Sequence, residues 1–271
     1  MMITCDQFAR VMLGNEIRQG LLNNEFSLHY QQQFNDDGSI YGVEALARWY
    51  LPVFGYVSPA DFIPVAEESG HILDLGEWVF GKACEQLHEW DGMGLGKLKM
   101  SINVSTAQIS RQNLTEMIIV NLNKYDLSPG SLTLEITETD FFEHFKGSFK
   151  SLESIKNLGV NLALDDFGIG HSSFQWLAEL PVNILKLDRS FVRNLDKSST
   201  RFVVRRLFQM ANDLGMEIVA EGVETDRQLE ILKSFGSCRI QGYLLGKPMD
   251  PDLMTKKLHS KRELSLNLKP I

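Results

Sequence analysis

Short apolar segments alternate with longer amphipathic segments from residue 26 to residue 258. Eight segments have the length and composition of strands, at residues 26–33, 40–47, 98–104, 131–137, 161–166, 183–188, 217–220 and 239–243. Helix-like segments separate most of them. One has apolar residues at 72, 75, 79, 83, 87 and 90, which form one face of a helix. The pattern predicts an α/β fold, a modified (β/α)8 TIM-like barrel.

The first two predicted strands are joined by residues 35–39 alone. A parallel pair needs a crossover connection of a dozen or more residues, whereas a connection this short suits a hairpin. We therefore expect an antiparallel first strand. We assign residues 1–24 to an N-terminal extension with a helix near 15–22, residues 25–259 to the barrel, and residues 260–271 to a C-terminal tail.

Composition and charge narrow the class of protein. The 271 residues suit one large domain, and a net charge of −8 disfavours a long nucleic acid as a partner. No apolar run reaches the ~18 residues that span a membrane, and the first residues lack the pattern of a signal peptide. We expect a cytoplasmic protein without a membrane segment in this chain.

The three cysteines and six histidines form no familiar metal motif. Cys5, Cys84 and Cys238 are far apart and odd in number, which argues against a disulfide framework or a thiolate zinc site. Any metal should then be bound by oxygen atoms. Oxygen ligands favour Mg²⁺ or Mn²⁺ over Zn²⁺.

Polar residues recur at or just beyond the ends of separate strands. They are Glu44, Asn103, Glu135, Asp165, Asp166, Glu221 and Gln241. In an α/β barrel such strand ends meet at one mouth. Charged groups inside apolar strands are costly unless they are paired or bound to metal, so we expect these carboxylates to converge.

Asp165 and Asp166 are adjacent at a strand end and could address two cations. Two cations about 3.5–4 Å apart are the usual clamp for displacement at phosphorus, and a nearby lysine can orient the attacking water. Plainer interpretations stay open at this point. Glu221 could be a strand end before a capping acid, Arg48 a surface partner of Trp49, and Glu138 a first-turn helix acid.

Residues 41–49, with Glu44, Ala45 and Leu46 at their centre, resemble the signature of the EAL-domain family. Its members are cyclic-di-GMP phosphodiesterases of bacterial second-messenger signalling. Further similar blocks follow in order at residues 58–64, 66–70, 102–105, 134–138, 165–168, 185–188, 220–225 and 241–243. The resemblance spans roughly residues 16–258. Several similar blocks in the same order are far more specific than the Glu-Ala-Leu sequence alone.

The resemblance implies hydrolysis of cyclic-di-GMP to linear pGpG with two Mg²⁺ or Mn²⁺ ions. It implies Lys186 and Glu221 as the groups that position and activate water. The implied metal ligands are Glu44, Asn103, Glu135, Asp165, Asp166 and Glu221. The implied substrate-binding residues are Gln31, Leu46, Arg48, Asp61 and Gln241. Glu138 resembles the acid that anchors the loop after Asp166, through which we expect a homodimer.

Three positions depart from the family's usual pattern. Gln32 stands where proline is common, and Ile169 and His171 stand where threonine and tyrosine are common. We expect Ile169 and His171 to affect the regulation of the loop more than the activity. Family members are usually fused to sensory or GGDEF domains, so we expect a stand-alone module or a piece of a longer parent.

Two other functions remain open from the sequence. The chain could be a non-hydrolysing EAL-like receptor of cyclic-di-GMP or a protein-interaction module, and turnover with added metal would separate these from the enzyme. It could also be an unrelated barrel enzyme, such as a Mg²⁺-dependent lyase. Failure to bind cyclic-di-GMP would indicate the latter.

Overall fold

The computed structural model describes residues 5–52, 54–111, 113–168 and 177–267. Within them the strands follow the predicted order, with one addition. They are β1 (Phe26–Phe34), β2 (Ile40–Leu51), β3 (Gly55–Val57), β4 (Lys99–Asn103), β5 (Leu132–Thr137), β6 (Asn161–Phe167), β7 (Ile184–Leu187), β8 (Glu217–Ala220) and β9 (Arg239–Ile240). Strand β3 was not predicted.

Helices occupy most of the connections between the parallel strands. The α-helices are α1 (Cys5–Leu22), α2 (Pro59–Ser69), α3 (Ile72–Gly92), α4 (Thr106–Arg111), α5 (Leu114–Lys124), α6 (Glu138–Asn157), α7 (Arg189–Arg193), α8 (Ser198–Asp213), α9 (Asp226–Lys233) and α10 (Pro251–Asn267). A 3₁₀ turn at Pro129–Ser131 precedes β5. No helix in the described part of the chain combines the length and apolar character that crossing a membrane requires.

Among the described residues, eight strands close into a barrel. Their order is β1-β9-β8-β7-β6-β5-β4-β2, and β1 pairs with β2 to complete the ring. Strand β1 is antiparallel to both neighbours, and the remaining pairs around the ring are parallel. The predicted barrel with an antiparallel first strand is therefore confirmed.

The β1–β2 turn is closed by local hydrogen bonds. The amide of Asn35 donates to the carbonyl of Ser39 at 2.9 Å, and the Asp37 carboxylate accepts from the Ser39 amide at 2.8 Å. Gly38 has φ +82°, a conformation that glycine adopts without steric cost. This turn places the end of β1 beside the beginnings of the parallel strands, opposite the mouth.

Strand β2 continues past its predicted end at residue 47 and folds back on itself as β3. Trp49 and Leu51 are buried in a second apolar cluster with Ile17 of α1 and Phe62 of α2. Because burial of Trp49 and Leu51 stabilises the extended backbone that carries them, the strand continues beyond residue 47. The cluster seats α1 and α2 against one side of the barrel.

The terminal helices extend further than the predicted segments suggest. Helix α1 begins at Cys5, and α10 continues through Asn267, beyond the predicted boundary at residue 259. The boundaries of the extension, barrel and tail stay a prediction.

The barrel interior is apolar on one side and polar on the other. Ala163, Ile184 and Val219 form a small apolar cluster separate from the main core. Their chain neighbours pack outward under the helices, as alternation along a strand requires. Across the barrel, Gln33 Nε2 donates to Ser101 Oγ at 3.4 Å, so a polar layer lies beneath the mouth.

Gln32 is buried on the outer face of β1. It is 1% exposed, and within the described residues neither its amide nitrogen nor its amide oxygen has a hydrogen-bond partner. A buried polar group without a partner costs about 1–3 kcal/mol. The unpaired side-chain amide of Gln32 therefore lowers the stability of the protein.

We expect Gln32→Met to raise the free energy of unfolding by about 1 kcal/mol, because a chain of similar shape removes the unpaired amide. Urea denaturation followed by circular dichroism measures the change. Gln33→Met is the matched control and should destabilise, because Gln33 donates to Gln241 and Ser101. A lower midpoint for Gln32→Met would contradict the prediction.

Candidate active site

The ammonium group of Lys186 lies at the centre of the mouth. It is buried and comes from β7. Four carboxylates from four other strands or strand ends surround it. The distances from Nζ are 2.5 Å to Glu135, 2.7 Å to Glu221, 3.0 Å to Asp165 and 3.9 Å to Glu44. The structure thus brings five predicted site residues into direct contact.

This cluster holds more negative than positive charge. Burial disfavours the charged form of Lys186, but the surrounding carboxylates outweigh it and raise the pKa of the ammonium well above its ordinary value. Burial, with Asp165 and Glu44 adding to it, raises the pKa of Glu221 to about 8 against the opposing effect of Lys186. Burial likewise raises the pKa of Glu135 well above its ordinary value.

Side-chain amides hold Glu44 in its ionised form. Asn103 Nδ2 donates to Glu44 Oε1 at 2.7 Å, and Gln241 Nε2 donates to Glu44 Oε2 at 2.5 Å. Burial opposes ionisation of Glu44, but Lys186 and these two hydrogen bonds prevail, so its pKa is lower than the ordinary value. Glu44 therefore remains an oxygen donor in a buried site.

A chain of glutamines continues this network to β1. Gln241 Nε2 also donates to Gln31 Oε1 at 3.2 Å, and Gln33 Nε2 donates to Gln241 Oε1 at 3.0 Å. Gln33 was not among the predicted site residues. Its position two residues after Gln31, on the same face of the strand, is the signal that could have identified it.

An irregularity in β6 turns two adjacent aspartates toward the mouth. In a regular strand Asp165 and Asp166 would point to opposite faces. The register between β6 and β7 shifts after Leu164, and Asp166 has φ +54°. Oxygen atoms of Asp165, Asp166 and Glu221 consequently lie within 4.8 Å of one another. Burial, then the charges of Asp165 and Asp188, raises the pKa of Asp166 to about 6.

The donor set fits hard divalent cations. All candidate ligands offer oxygen, and the four carboxylates around Lys186 share one buried ammonium. Asp165, Asp166 and Glu221 are close enough to share an ion. Buried carboxylates in excess of cations are costly unless a metal balances them, which is why this arrangement indicates metal binding.

Glu138 anchors the segment that follows the two aspartates. It is 1% exposed at the start of α6, and its Oε2 accepts from the amide of Gly168 at 2.6 Å. Gly168 has φ +98°, and a β-carbon there would collide with the ring of Phe191. The remainder of the loop, residues 169–176 with the departures Ile169 and His171, lies outside the described residues, as does this part of the predicted dimer contact.

The predicted substrate-binding residues lie at different distances from the cluster. Gln31, Leu46 and Gln241 line a mouth cavity of about 240 Å³ together with the cluster residues. Arg48 is half-buried and borders an adjoining cavity of about 270 Å³, while its guanidinium donates to the carbonyl of Ala47 at 2.8 Å. Asp61 is exposed in the first turn of α2 and lines neither cavity.

Two charged residues at the mouth escaped prediction. Arg189 and Glu224 line the same cavity as Glu221. Each follows a predicted strand end by one to four residues, so their proximity to Asp188 and Glu221 in the sequence was the available signal.

Known proteins resemble this chain over most of its length. The model of the EAL domain matches residues 14–248. The oxygen sensor protein DosP of Escherichia coli K12 is 37% identical over 242 residues, covering 89% of this chain and 30% of that protein. The bifunctional diguanylate cyclase/cyclic di-GMP phosphodiesterase MucR of Pseudomonas aeruginosa is also 37% identical, covering 89% of this chain and 35% of MucR.

Solved structures agree with the sequence relatives. A complex of the PaMucR phosphodiesterase with c-di-GMP has a TM-score of 0.85 at 36% identity, covering 90% of this chain and 99% of that one. The matched region of this chain corresponds to about a third of the length of DosP and of MucR.

We expect Lys186→Met to destabilise the protein by about 3 kcal/mol, because it leaves buried carboxylates without their counter-ion. Urea denaturation in EDTA measures the loss, and 10-fold excess Mn²⁺ over protein should recover part of it. Lys82→Met, which removes an exposed partner of Glu85, is the control and should change stability little. Equal stability of Lys186→Met and wild type in EDTA would rule out this role for Lys186.

Proposed function

The chain belongs to the EAL-domain family, and from this we propose that it hydrolyses cyclic-di-GMP to linear pGpG. One observation carries the proposal: Glu44, Glu135, Asp165 and Glu221 surround Lys186 at one barrel mouth, with Asn103 and Asp166 beside them. The naming of MucR as a cyclic di-GMP phosphodiesterase and the PaMucR complex with c-di-GMP support the choice of substrate.

Two divalent cations, Mg²⁺ or Mn²⁺, would be held by the oxygen donors of the mouth. Glu44, Asn103, Glu135 and Asp165 would hold one, and Asp165, Asp166 and Glu221 the other. Bound ions of this kind supply charge stabilisation at phosphorus and lower the pKa of a coordinated water. The amides of Asn103 and Gln241 fix the orientation of Glu44 for this purpose.

Lys186 and Glu221 would act on the attacking water. Their side chains contact each other at 2.7 Å, so each restricts the orientation of the other. The Glu221 carboxylate would accept a proton from the water, and the ammonium of Lys186 would offset negative charge that develops on the phosphoryl group. Gln241 would assist by holding the same water or a metal ligand.

Gln31, Leu46, Arg48 and Asp61 would position the substrate around this centre. Arg48 offers a guanidinium that suits a phosphate oxygen. Leu46 borders both mouth cavities and supplies an apolar contact for a guanine base. Asp61, in the first turn of α2, would approach the substrate from the edge of the mouth.

Three wider expectations accompany the reaction. We place it in the cytoplasm, where a second messenger of this class would be degraded. We expect a homodimer through the loop after Asp166. The greater length of DosP and MucR supports a longer parent with an upstream sensory or GGDEF domain.

The test is incubation of the purified chain with cyclic-di-GMP and Mg²⁺ or Mn²⁺, with products separated by chromatography. Wild type should form pGpG only when metal is present. Asp165→Asn should lose at least 100-fold in rate, because it removes a charge shared by both proposed ions. Asp213→Asn, on the surface at the end of α8, is the matched control and should retain the rate.

Two outcomes would overturn the proposal. Binding of cyclic-di-GMP without product would indicate the non-hydrolysing receptor. No binding at all would indicate an unrelated metal-dependent barrel enzyme. Asp165→Asn with a near-normal rate would contradict the ligand assignment alone.

Glu138→Gln should reduce kcat about 10-fold, because a neutral amide holds the Gly168 amide less strongly than a carboxylate does. Steady-state kinetics together with thermal unfolding measure the effect. An unchanged melting temperature with lower kcat would locate the effect in the loop. Unchanged kinetics would return Glu138 to the role of a first-turn helix acid.

A further inference from the structure

Helix α7 lies between the two segments that carry the proposed ligands of the second cation. It follows β7 after a single residue and spans only Arg189–Arg193. Asp166, at the end of β6, and Glu221, just beyond β8, border the same cleft as this helix. The position of α7 therefore bears on the separation between Asp166 and Glu221.

Short as it is, helix α7 is held firmly on the barrel. The Asp188 carboxylate accepts from the amide of Ser190 at 2.8 Å, and Asn194 Nδ2 donates to the carbonyl of Ser190 at 2.8 Å. Val192 and Leu195 are buried in the main core. A helix of this length is not stable alone, so these contacts fix its place beside β7.

On one side, the ring of Phe191 packs against the backbone of Gly168. The contact is so close that a β-carbon on Gly168 would collide with the ring. Gly168 is the second residue after Asp166, and its amide also donates to Glu138. Phe191 and Glu138 thus hold, from two directions, the end of the segment that carries Asp165 and Asp166.

On the other side, the backbone of α7 packs against Gly222, the residue after Glu221. A β-carbon on Gly222 would lie 2.5 Å from the β-carbon of Arg189, and Gly222 has φ +68°. Only glycine combines this approach with this backbone conformation at no steric cost. The segment that carries Glu221 therefore has no room to move closer to α7.

Gln228 ties the end of α7 to that same segment. Its Nε2 donates to the carbonyl of Val192 at 3.3 Å. Its Oε1 accepts from the amides of Glu224 and Thr225 at 2.8 and 3.0 Å. The segment after Glu221 is thus linked to α7 by hydrogen bonds as well as by close packing.

A fixed separation between ligands matters more to some cations than to others. Mg²⁺ demands near-ideal octahedral geometry with oxygen atoms at about 2.0–2.1 Å, whereas Ca²⁺ is larger and accepts flexible geometry at about 2.3–2.6 Å. Residues that orient metal ligands change metal affinity by about 10–100-fold when they are substituted. Support on both sides of α7 therefore suits the smaller and more demanding ion.

We propose that Phe191 and Gln228 are positioning residues for the second cation. Through α7 they set the separation between Asp166 and Glu221, so that the mouth selects Mg²⁺ over Ca²⁺. Neither residue is a proposed ligand, and each acts through a segment that carries one. This inference rests on the proposed function, because it takes these carboxylates as metal ligands.

The experiment measures cation binding by the full chain without cyclic-di-GMP. Protein stripped with EDTA and dialysed is titrated with Mg²⁺ and, separately, with Ca²⁺ by isothermal titration calorimetry. Phe191→Leu should raise the Kd of Mg²⁺ about 10-fold and that of Ca²⁺ about 2-fold, because Ca²⁺ tolerates a looser site. Gln228→Ala should shift the ratio of the two Kd values in the same direction. Because Gln228 is partly exposed, its variant tests the inference even if Phe191→Leu does not fold.

Each variant has a matched control away from the mouth. Phe235→Leu makes the same change at another partly buried phenylalanine, which borders the start of β8. Asn113→Ala removes an N-terminal cap from α5, as Gln228→Ala removes a capping contact from α9. Both controls should keep the wild-type ratio of Kd values. Thermal unfolding in EDTA shows whether variant and control lose similar stability, which separates selectivity from folding.

Four outcomes would overturn the inference. In the first two, Phe191→Leu and Gln228→Ala weaken both cations equally, or leave both Kd values unchanged, while wild type still binds Mg²⁺. In the third, the control variants shift the ratio as much as the test variants do. In the fourth, wild type binds no Mg²⁺, or Asp165→Asn binds it equally well, and the metal site of the proposed function falls too. Because no substrate is present, none of these results depends on turnover.

Discussion

The site depends on one buried ion cluster, in which the ammonium of Lys186 holds four carboxylates together. Burial raises the pKa values of Glu135 and Glu221, and the ammonium of Lys186 opposes that effect at each carboxylate. The barrel supplies the rigid frame, since each group comes from a different strand. The same excess of negative charge that lowers stability prepares the mouth to receive cations.

Much of the fold was predictable because its signals are local. Apolar strand segments, amphipathic helices and the five-residue connection at 35–39 each follow from short stretches of sequence. The extension of β2 to Leu51 and the added β3 were not predictable in this way. They depend on packing of Trp49 and Leu51 against Ile17 and Phe62, which are distant in the sequence.

For the site, the sequence indicated which residues would meet but not the local geometry that brings them together. Polar residues at strand ends indicated which side chains would converge, and barrel closure brought Glu44, Glu135, Asp165 and Glu221 to Lys186. The sequence could not show how two neighbouring aspartates face one mouth, because that requires a register shift and a positive φ. Nor did it reveal that the glutamines of β1 would pair with Gln241, which follows β9, since hydrogen-bond partners depend on three-dimensional closure.

The seam where β1 meets β9 both closes the barrel and supplies side chains to the mouth. Phe34 and Ile240 form the backbone pair between these strands, and a second backbone bridge joins Tyr30 to Met249 beyond β9. Between these two bridges, the side-chain amides of Gln31, Gln33 and Gln241 connect the two sides of the seam. Gln31 and Gln241 also line the mouth. A molecule that forms hydrogen bonds with both Gln31 and Gln241 would add a further connection across the seam when it binds. Part of its affinity would then appear as resistance of the seam to local opening, and a protein with a loosened seam would hold the same molecule less tightly.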